Sequence, residues 1–590
     1  MKHHRKKGFF SSIFASLNLL RLIIINLVFW SIVILILISF LPSTVQVPHN
    51  SLLYLKPVGT LSEMNDGDAL PQWMEALAGP VSETSAFRLS RTIRTAAEDR
   101  RIKLLVMDLS ELQYASLAVL QEIESDIRYF RSKGKSLFTW ADHYNLYSYY
   151  LASGADSVYM DPMGQVLLPG FSLYKTYYGK AMDKWNLEMA YFHAGEFKSY
   201  GNSYISSSMS EDMKEENRRW LNKLWSQYVS RVGENRGLKP GQLESWIQNY
   251  PSLISKQGAS ESSAALSSQL IDSLLNFSEF DREMMRHLEE GSDSVVMGAD
   301  YERLLDREAS IQGEKTVAVL SAAGQIHQGE GSPWSIGSDS LISSLDEIGA
   351  DRSVGALVLR LDTGGGSAYA SELIRRKLIE LKTKGKTVLI SMGGVTASGG
   401  YWIATAGDEI WTAPGTITGS IGVFTLIPQV ASFAEETLGI RSDGVGTTWM
   451  SGQERIDQPL NSQSKTVFQS SVNHTYEQFL ELVSESRNLE MKTLRPLAEG
   501  RIWSGEEAVE IGLADHSGTL QESIAAAASL AGLEEFNIRY HRQGTMSLRQ
   551  SLMKLQQGKI SIFDFLPGID VSMPELVPGR VYALSQLGNK

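Results

Sequence analysis

The sequence predicts an α/β protein built from two copies of one unit, each with a largely parallel sheet, behind a single N-terminal transmembrane helix. Three observations predict it. An internal repeat recurs at a spacing of about 252 residues, short β-branched runs alternate with helical patterns inside each copy, and an uncharged apolar run follows a basic N-terminus. Charged residues make up 21% of the 590 positions and hydrophobic ones 43%, which is the composition of a chain that buries a substantial core.

The elements follow in order. Residues 1–21 form a basic tail, with Lys2, Arg5, Lys6 and Lys7 at its start and Arg21 at its end. The run 22–41 carries no charge and is broken only by Asn26, Ser31 and Ser39. A helix of that length, at about 1.5 Å per residue, covers roughly the 30 Å hydrocarbon core of a bilayer. The exit, Ser39-Phe40-Leu41-Pro42, lacks a small-x-small cleavage site, so the helix is expected to stay as an anchor. No charge follows until Lys56, so the positive-inside rule puts the tail in the cytoplasm and everything beyond residue 42 outside a bacterial inner membrane, in the periplasm.

The first copy is expected over 53–300 and the second over 314–540. Tyr149 to Asp156, running on to Pro162, matches Tyr401 to Asp408, running on to Pro414, at offset 252 (401 − 149 and 414 − 162). Lys133-Gly134-Lys135 matches Lys384-Gly385-Lys386 at offset 251. In the second copy, strands at Ala356–Leu359 and Val388–Ser391 alternate with helices near Ser371–Leu381 and from Gly399, the order of a βαβ unit. Met209–Tyr228 reads as an amphipathic helix and Ser278–Asp306 as a polar helical connector. The tail 541–590 is turn-rich and carries no assigned role.

A net charge of −12 argues against a nucleic-acid partner, which would require a basic face to displace counterions from phosphates. With no cysteine, a thiolate nucleophile and a cysteine-ligated zinc are excluded. The ten histidines show no metal-ligand spacing, and no cofactor or metal is implied.

Two glycine clusters carry the chemistry. Gly393-Gly394-Val395-Thr396-Ala397-Ser398-Gly399-Gly400 follows a predicted strand and opens a predicted helix. Unpaired N–H groups at such a junction favour an anion, which suits a serine hydroxyl attacking a carbonyl. The same residues equally suit a helix cap and a turn. Asp362-Thr363-Gly364-Gly365-Gly366-Ser367 also ends a strand, and in a parallel sheet its N–H groups converge on the same edge as Ser398, suiting either an oxyanion hole or a plain turn.

Thr396-Ala397-Ser398-Gly399-Gly400-Tyr401, followed by Ile417-Thr418-Gly419-Ser420-Ile421-Gly422 and Gly500-Arg501-Ile502-Trp503-Ser504-Gly505, resembles the signal peptide peptidase A (protease IV) family in its long, duplicated form. The resemblance covers most of residues 50–540. It implies a duplicated ClpP/crotonase-like fold and a serine endopeptidase with a Ser/Lys dyad. Ser398 would be the nucleophile and Lys198, in Gly195-Glu196-Phe197-Lys198-Ser199, the general base, with the backbone of Gly365, Gly366 and Gly399 as the oxyanion hole. It further implies hydrophobic peptide substrates such as cleaved signal peptides, and a homotetramer. The repeat agrees with a split dyad: offset 252 sets Leu146 opposite Ser398, and Gln113 and Tyr114 opposite Gly365 and Gly366, while offset 253 sets Ser451 opposite Lys198.

A strand through Glu196 and Lys198 would put both on one face, where the carboxylate would hold the lysine protonated. The remaining alternatives are a triad using His327, a crotonase-like acyl-CoA enzyme and a non-catalytic membrane scaffold.

Overall fold

Leu104-Leu105-Val106-Met107 is an unbroken apolar run, the pattern of a strand covered on both faces. In the computed structural model it lies in the strand Ile102–Asp108, buried at every position but Lys103, at the middle of a six-stranded sheet. The structure describes residues 19–31, 47–63, 83–256, 260–288, 294–308, 314–332, 334–542 and 582–584.

The chain divides into two units, residues 1–47 and 48–590. In the first, residues 19–31 are helical, with the apolar side chains from Leu19 to Trp30 exposed. The predicted span 22–41 lies only partly among the described residues, and no helix there is long and apolar enough to cross a membrane.

The second unit is mixed α/β with parallel sheets. One sheet runs in the order Val295–Met297, Ser51–Leu55, Ile102–Asp108, Ser136–Ala141, Ser157–Met160, Ser273–Leu274, and every pairing in it is parallel. The stretch expected to be a helical connector thus contains a strand, Val295–Met297, between the helices Phe277–Arg286 and Gly298–Glu308. Its three residues carry too short an alternation to be distinguished from helix by period. The other large sheet has the serial order Ile502–Ser504, Ile417–Gly419, Thr387–Ala397, Val354–Thr363, Thr316–Ala323, Asn537–Arg542.

The two sheets make the same bonds at repeat-related positions. Leu137 N–H donates to Asp156 Oδ2 at 2.8 Å, and Val388 N–H donates to Asp408 Oδ2 at 2.8 Å. The buried Tyr149 hydroxyl donates to Leu270 O at 2.7 Å, and that of Tyr401 to Leu513 O at 2.7 Å. Lys135 Nζ donates to the carbonyls of Ala96 and Asp99, and Lys386 Nζ to those of Asp351 and Val354.

A third sheet joins residues from both sides of the repeat. Its order is Ser335–Gly337, Gln325–His327, Gly365–Ser367, Tyr582–Leu584, Val423–Gln429, Glu188–Ala194. Glu188–Ala194 pairs antiparallel with Val423–Gln429 along its full length, from Glu188 opposite Gln429 to Ala194 opposite Val423.

A buried ion cluster makes a second link. Arg360, 1% exposed on the strand Val354–Thr363, binds Glu63 through Nη2 and Nε and Glu122 through Nη1 at 2.9 Å. Its Nη1 also donates to Ser391 Oγ at 3.0 Å and Met392 O at 3.1 Å, on the strand that leads to Ser398. Removing one partner of such a cluster leaves buried charge unpaired. Arg360→Ala is therefore expected to lower stability by about 3–5 kcal/mol. Urea denaturation of the variant checks this, and a loss below about 1 kcal/mol, the level of an exposed pair, would show that the cluster is solvated.

Candidate active site

Lys198 is delivered by the strand Glu188–Ala194. Gly195, at φ +102°, turns the chain out of that strand, and Lys198 N–H donates back to Gly195 O at 3.1 Å. The segment Glu499–Arg501 clamps this turn: Phe197 N–H donates to Glu499 O at 2.7 Å, Glu196 N–H to Glu499 Oε2 at 3.0 Å, and the Arg501 guanidinium lies 4.1 Å from the centre of the Phe197 ring. Gly500, at φ +76°, fits so closely that a Cβ on it would lie 2.5 Å from Lys198 N.

Ser398 is delivered by the strand Thr387–Ala397, whose end is braced by its neighbours. Val395 N–H donates to Asp362 Oδ1 at 2.8 Å and the Thr396 hydroxyl to Leu361 O at 2.6 Å. Ser398 then adopts φ +56° and ψ −112°, a conformation costly for a non-glycine residue. Two bonds hold it, one from its own N–H to Gly419 O at 2.8 Å and one from Trp402 N–H to its carbonyl at 2.9 Å. The helix Gly399–Ala404 starts at the next residue, so the Gly399 N–H has no acceptor within its own helix.

The two side chains meet across 200 positions of sequence, with Lys198 Nζ 2.6 Å from Ser398 Oγ. Nζ also lies 2.8 Å from Ser420 O and 3.1 Å from Ser420 Oγ. Lys198 is 1% exposed and Ser398 fully buried. Burial holds the Lys198 ammonium well below its ordinary value, so the neutral amine is favoured. A neutral amine has two hydrogens and one lone pair. Donation to the two Ser420 oxygens uses the hydrogens, which leaves the lone pair to accept the Ser398 hydroxyl proton.

Glu196 does not disturb this. It sits in the turn after the strand and is exposed, whereas Lys198 is buried. The expectation of a shared strand face is corrected: Gly195 ends the strand at Ala194, so alternation no longer applies.

Gly365–Ser367 lies against the helix Gly399–Ala404. Gly365 adopts φ +109°, and a Cβ on Gly366 would fall 2.0 Å from Ile326 O, so neither position accepts a side chain. Gly365 N–H already donates to Thr363 Oγ1 at 3.0 Å, so an oxyanion would compete with that hydroxyl for it. His327 is occupied elsewhere, with Nε2 2.9 Å from Ser335 Oγ and Nδ1 2.9 Å from Gln328 O. Among the described residues, no group of three or more His, Asp or Glu is placed to hold a metal ion.

Ser420 had no role in the sequence reading, although it lies within the quoted run Ile417–Gly422. It too has a positive φ, +51°, and its N–H donates to Arg501 O at 2.6 Å. A serine after a glycine at a strand end is a weak signal. Only its position beside Nζ distinguishes it.

The sequence profile of Peptidase family S49 matches residues 129–290 and 380–534. The chain is 33% identical over 475 residues to "Protease 4" of Salmonella typhi, covering 80% of this chain and 76% of that one. It is 31% identical over 555 residues to "Protease 4" of Haemophilus influenzae, covering 90% and 89%. Among solved structures, ClpP1 from Listeria monocytogenes overlaps 35% of this chain and 94% of that chain at 14% identity, with a TM-score of 0.23.

Burial that disfavours the Lys198 ammonium links stability to pH. The unfolded chain binds a proton at this residue up to the ordinary lysine value, about 10.5, and the folded chain releases it much earlier. Between those points the unfolded state holds more protons, so stability rises with pH. The unfolding free energy of wild type minus that of Lys198→Met is expected to increase from neutral pH towards pH 10.5. Denaturation curves at several pH values check this, and a flat difference would mean that Lys198 stays protonated in the fold.

Proposed function

The chain belongs to peptidase family S49 and is a serine protease, and from that premise we propose that Ser398 is its nucleophile and Lys198 its general base. The contact of 2.6 Å between a buried amine and a buried hydroxyl carries this reading. As Ser398 Oγ attacks the scissile carbonyl, its proton passes to Lys198 Nζ. The same proton then goes to the leaving amine, and a water, deprotonated by the regenerated amine, hydrolyses the ester. Backbone N–H groups of Gly365, Gly366 and Gly399 are the candidates to hold the oxyanion, and Ser420 orients the amine. Membership of a serine protease family removes the acyl-CoA enzyme and the scaffold from consideration.

The substrates are hydrophobic peptides, cleaved signal peptides among them, as the resemblance to signal peptide peptidase A implies. Residues 22–41 anchor the chain in a bacterial inner membrane, with the N-terminus cytoplasmic and the catalytic part periplasmic. The basic residues before the run and their absence just after it support that orientation. Residues 53–300 and 314–540 are two copies of a ClpP/crotonase-like unit. The repeated bonds of Asp156 and Asp408, and of Tyr149 and Tyr401, support the duplication. The working form is a homo-oligomer, a tetramer by the same resemblance.

Hydrolysis of a hydrophobic peptide amide is expected to fall at least about 10³-fold in both Ser398→Ala and Lys198→Ala, with folding intact. Retention of activity in Lys198→Ala near neutral pH would assign the base elsewhere. In wild type, kcat/KM is expected to rise with pH as Lys198 loses its proton, with a midpoint well below the ordinary lysine value. A midpoint near 10.5 would mean that burial does not tune this amine.

A further inference from the structure

The strand that delivers Ser398 does not keep step with its neighbour. Thr387–Ala397 runs parallel to Val354–Thr363, residue for residue, as far as Leu361 opposite Met392, and the next pair is Thr363 opposite Thr396. Three residues, Gly393, Gly394 and Val395, therefore face the single residue Asp362. Such a bulge bends a strand and re-aims the side chains beyond it, and its surplus backbone groups need partners outside the ladder. Val395 N–H donates to Asp362 Oδ1 at 2.8 Å, and Gly393 O accepts from the Thr416 hydroxyl at 2.8 Å. The glycines fit the space left to them: a Cβ on Gly393 would lie 3.0 Å from Asp362 Cβ, and one on Gly394 would lie 2.6 Å from Ser116 Oγ.

The first copy reaches the same junction one residue sooner. Two repeat-related features bracket it: the bonds of Leu137 and Val388 N–H to Asp156 and Asp408, and the pairings of Tyr144 with Val166 and Thr396 with Thr418. Eight positions separate these points in the second copy (396 − 388) and seven in the first (144 − 137). The junctions differ accordingly. Asn145, at φ −91°, caps its helix through its side chain, whereas Ser398, at φ +56°, makes no side-chain bond to its helix, which leaves its hydroxyl for Lys198. At offset 252 from Asp362 stands Ser110, whose Oγ accepts a longer bond, from Asp142 N–H at 3.3 Å. The extra residue, the positive φ and the carboxylate occur together in the copy that carries the serine.

Asp362 is tied to the glycine turn as well. Its carbonyl accepts from Gly324 N–H at 3.0 Å, and the next residue, Thr363, takes the Gly365 N–H on Oγ1 at 3.0 Å. Thr363 also packs on the helix after Ser398, where a Cβ on Gly400 would lie 2.6 Å from Thr363 Cγ2. We propose that Asp362 is a positioning residue of the proteolytic reaction: its carboxylate holds the bulge Gly393–Val395 and thereby sets Ser398 Oγ against both Lys198 and the turn at Gly365 and Gly366. The proposal rests on the reading of Ser398 as the nucleophile. What the role requires is an acceptor for one N–H. Loss of that acceptor lets the end of the nucleophile strand drift without removing a contact to the peptide, so it acts on turnover and leaves KM in place.

The test uses the full-length chain in detergent, with Asp362→Ala, which removes the acceptor, and Asp362→Asn, which keeps an amide oxygen in its place. For each variant, kcat and KM for a hydrophobic peptide amide are measured beside the rate at which a fluorophosphonate labels Ser398, a reaction of the same hydroxyl that needs no bound peptide. The expected result for Asp362→Ala is a kcat about 30- to 100-fold lower, the cost of misplacing a reacting atom by about 1 Å, with KM within about twofold of wild type. Labelling slows by a similar factor, and Asp362→Asn recovers both rates to within about fivefold of wild type. Unchanged kcat and labelling in Asp362→Ala overturn the proposal, as does a loss confined to KM. An equal loss in Asp362→Asn also overturns it, because the effect would then belong to the charge. Where the alanine variant fails to fold, Asp362→Ser, the residue type of Ser110 in the first copy, takes its place: a lower kcat at constant KM supports the proposal, and an unchanged kcat overturns it. Hydrolysis that survives Ser398→Ala overturns the catalytic pair and this proposal together, whereas hydrolysis abolished by Ser398→Ala but unmoved by Asp362→Ala overturns this proposal alone.

Discussion

The antiparallel pairing of Glu188–Ala194 with Val423–Gln429 is the constraint on which the site depends. Lys198 and Ser398 lie on segments that follow strands of different sheets, and this pairing brings the two together. Register matters as much as existence, because a slip of one residue exchanges the faces of the strand and re-aims the turn at Gly195. The pairing is reinforced by side chains from both strands and the turn beyond: Phe424 packs against Tyr191 and Tyr200, and the Tyr191 hydroxyl donates to Lys198 O. Glu499–Arg501 closes the turn from the other side, with Gly500 required by the closeness of the approach.

Function and stability are opposed at this site. A buried lysine without a carboxylate partner is unfavourable as an ammonium, so burial favours the neutral amine that the proposed proton abstraction requires. Ser398 and Ser420 both hold positive φ values, each a cost of about 1–3 kcal/mol. The surroundings sustain these costs through apolar burial on both faces of the large sheet and through the Arg360 cluster, which braces the strand ending at Ser398. The strain is local. Strands on either side fix Gly419 and Arg501, the residues whose carbonyls hold the two serines.

Local patterns proved readable where the information is local. The helix expected near Ser371–Leu381 runs from Ala368 to Thr383, since its apolar positions recur at helical spacing and Ser367 caps it. The strand expected at Val388–Ser391 continues to Ala397, because Val395, Thr396 and Ala397 pair with Ile417–Gly419 and Thr396 also pairs with Thr363, partners that no periodicity reveals. The stretch 278–306 departs from the expected helical connector for a related reason: Val295–Met297 is a strand because Ser51–Leu55 offers it an edge.

Residue order was enough to identify the repeat, the glycine-rich ends of the strands and the serine at a strand-to-helix junction, because each of these is a property of neighbouring residues. The absence from the first copy of a serine matching Ser398, and of glycines matching Gly365 and Gly366, was also visible, since it can be read by offset alone. The desolvation of Lys198, the place of Ser420 beside its amine and the strand that Tyr582–Leu584 adds between Gly365–Ser367 and Val423–Gln429 were decided only by tertiary structure. Each depends on which distant backbone comes close enough to exclude water or to pair. Desolvation and strand pairing are set by neighbours in space, and a lysine in a turn has the same local sequence whether it ends in solvent or against a serine.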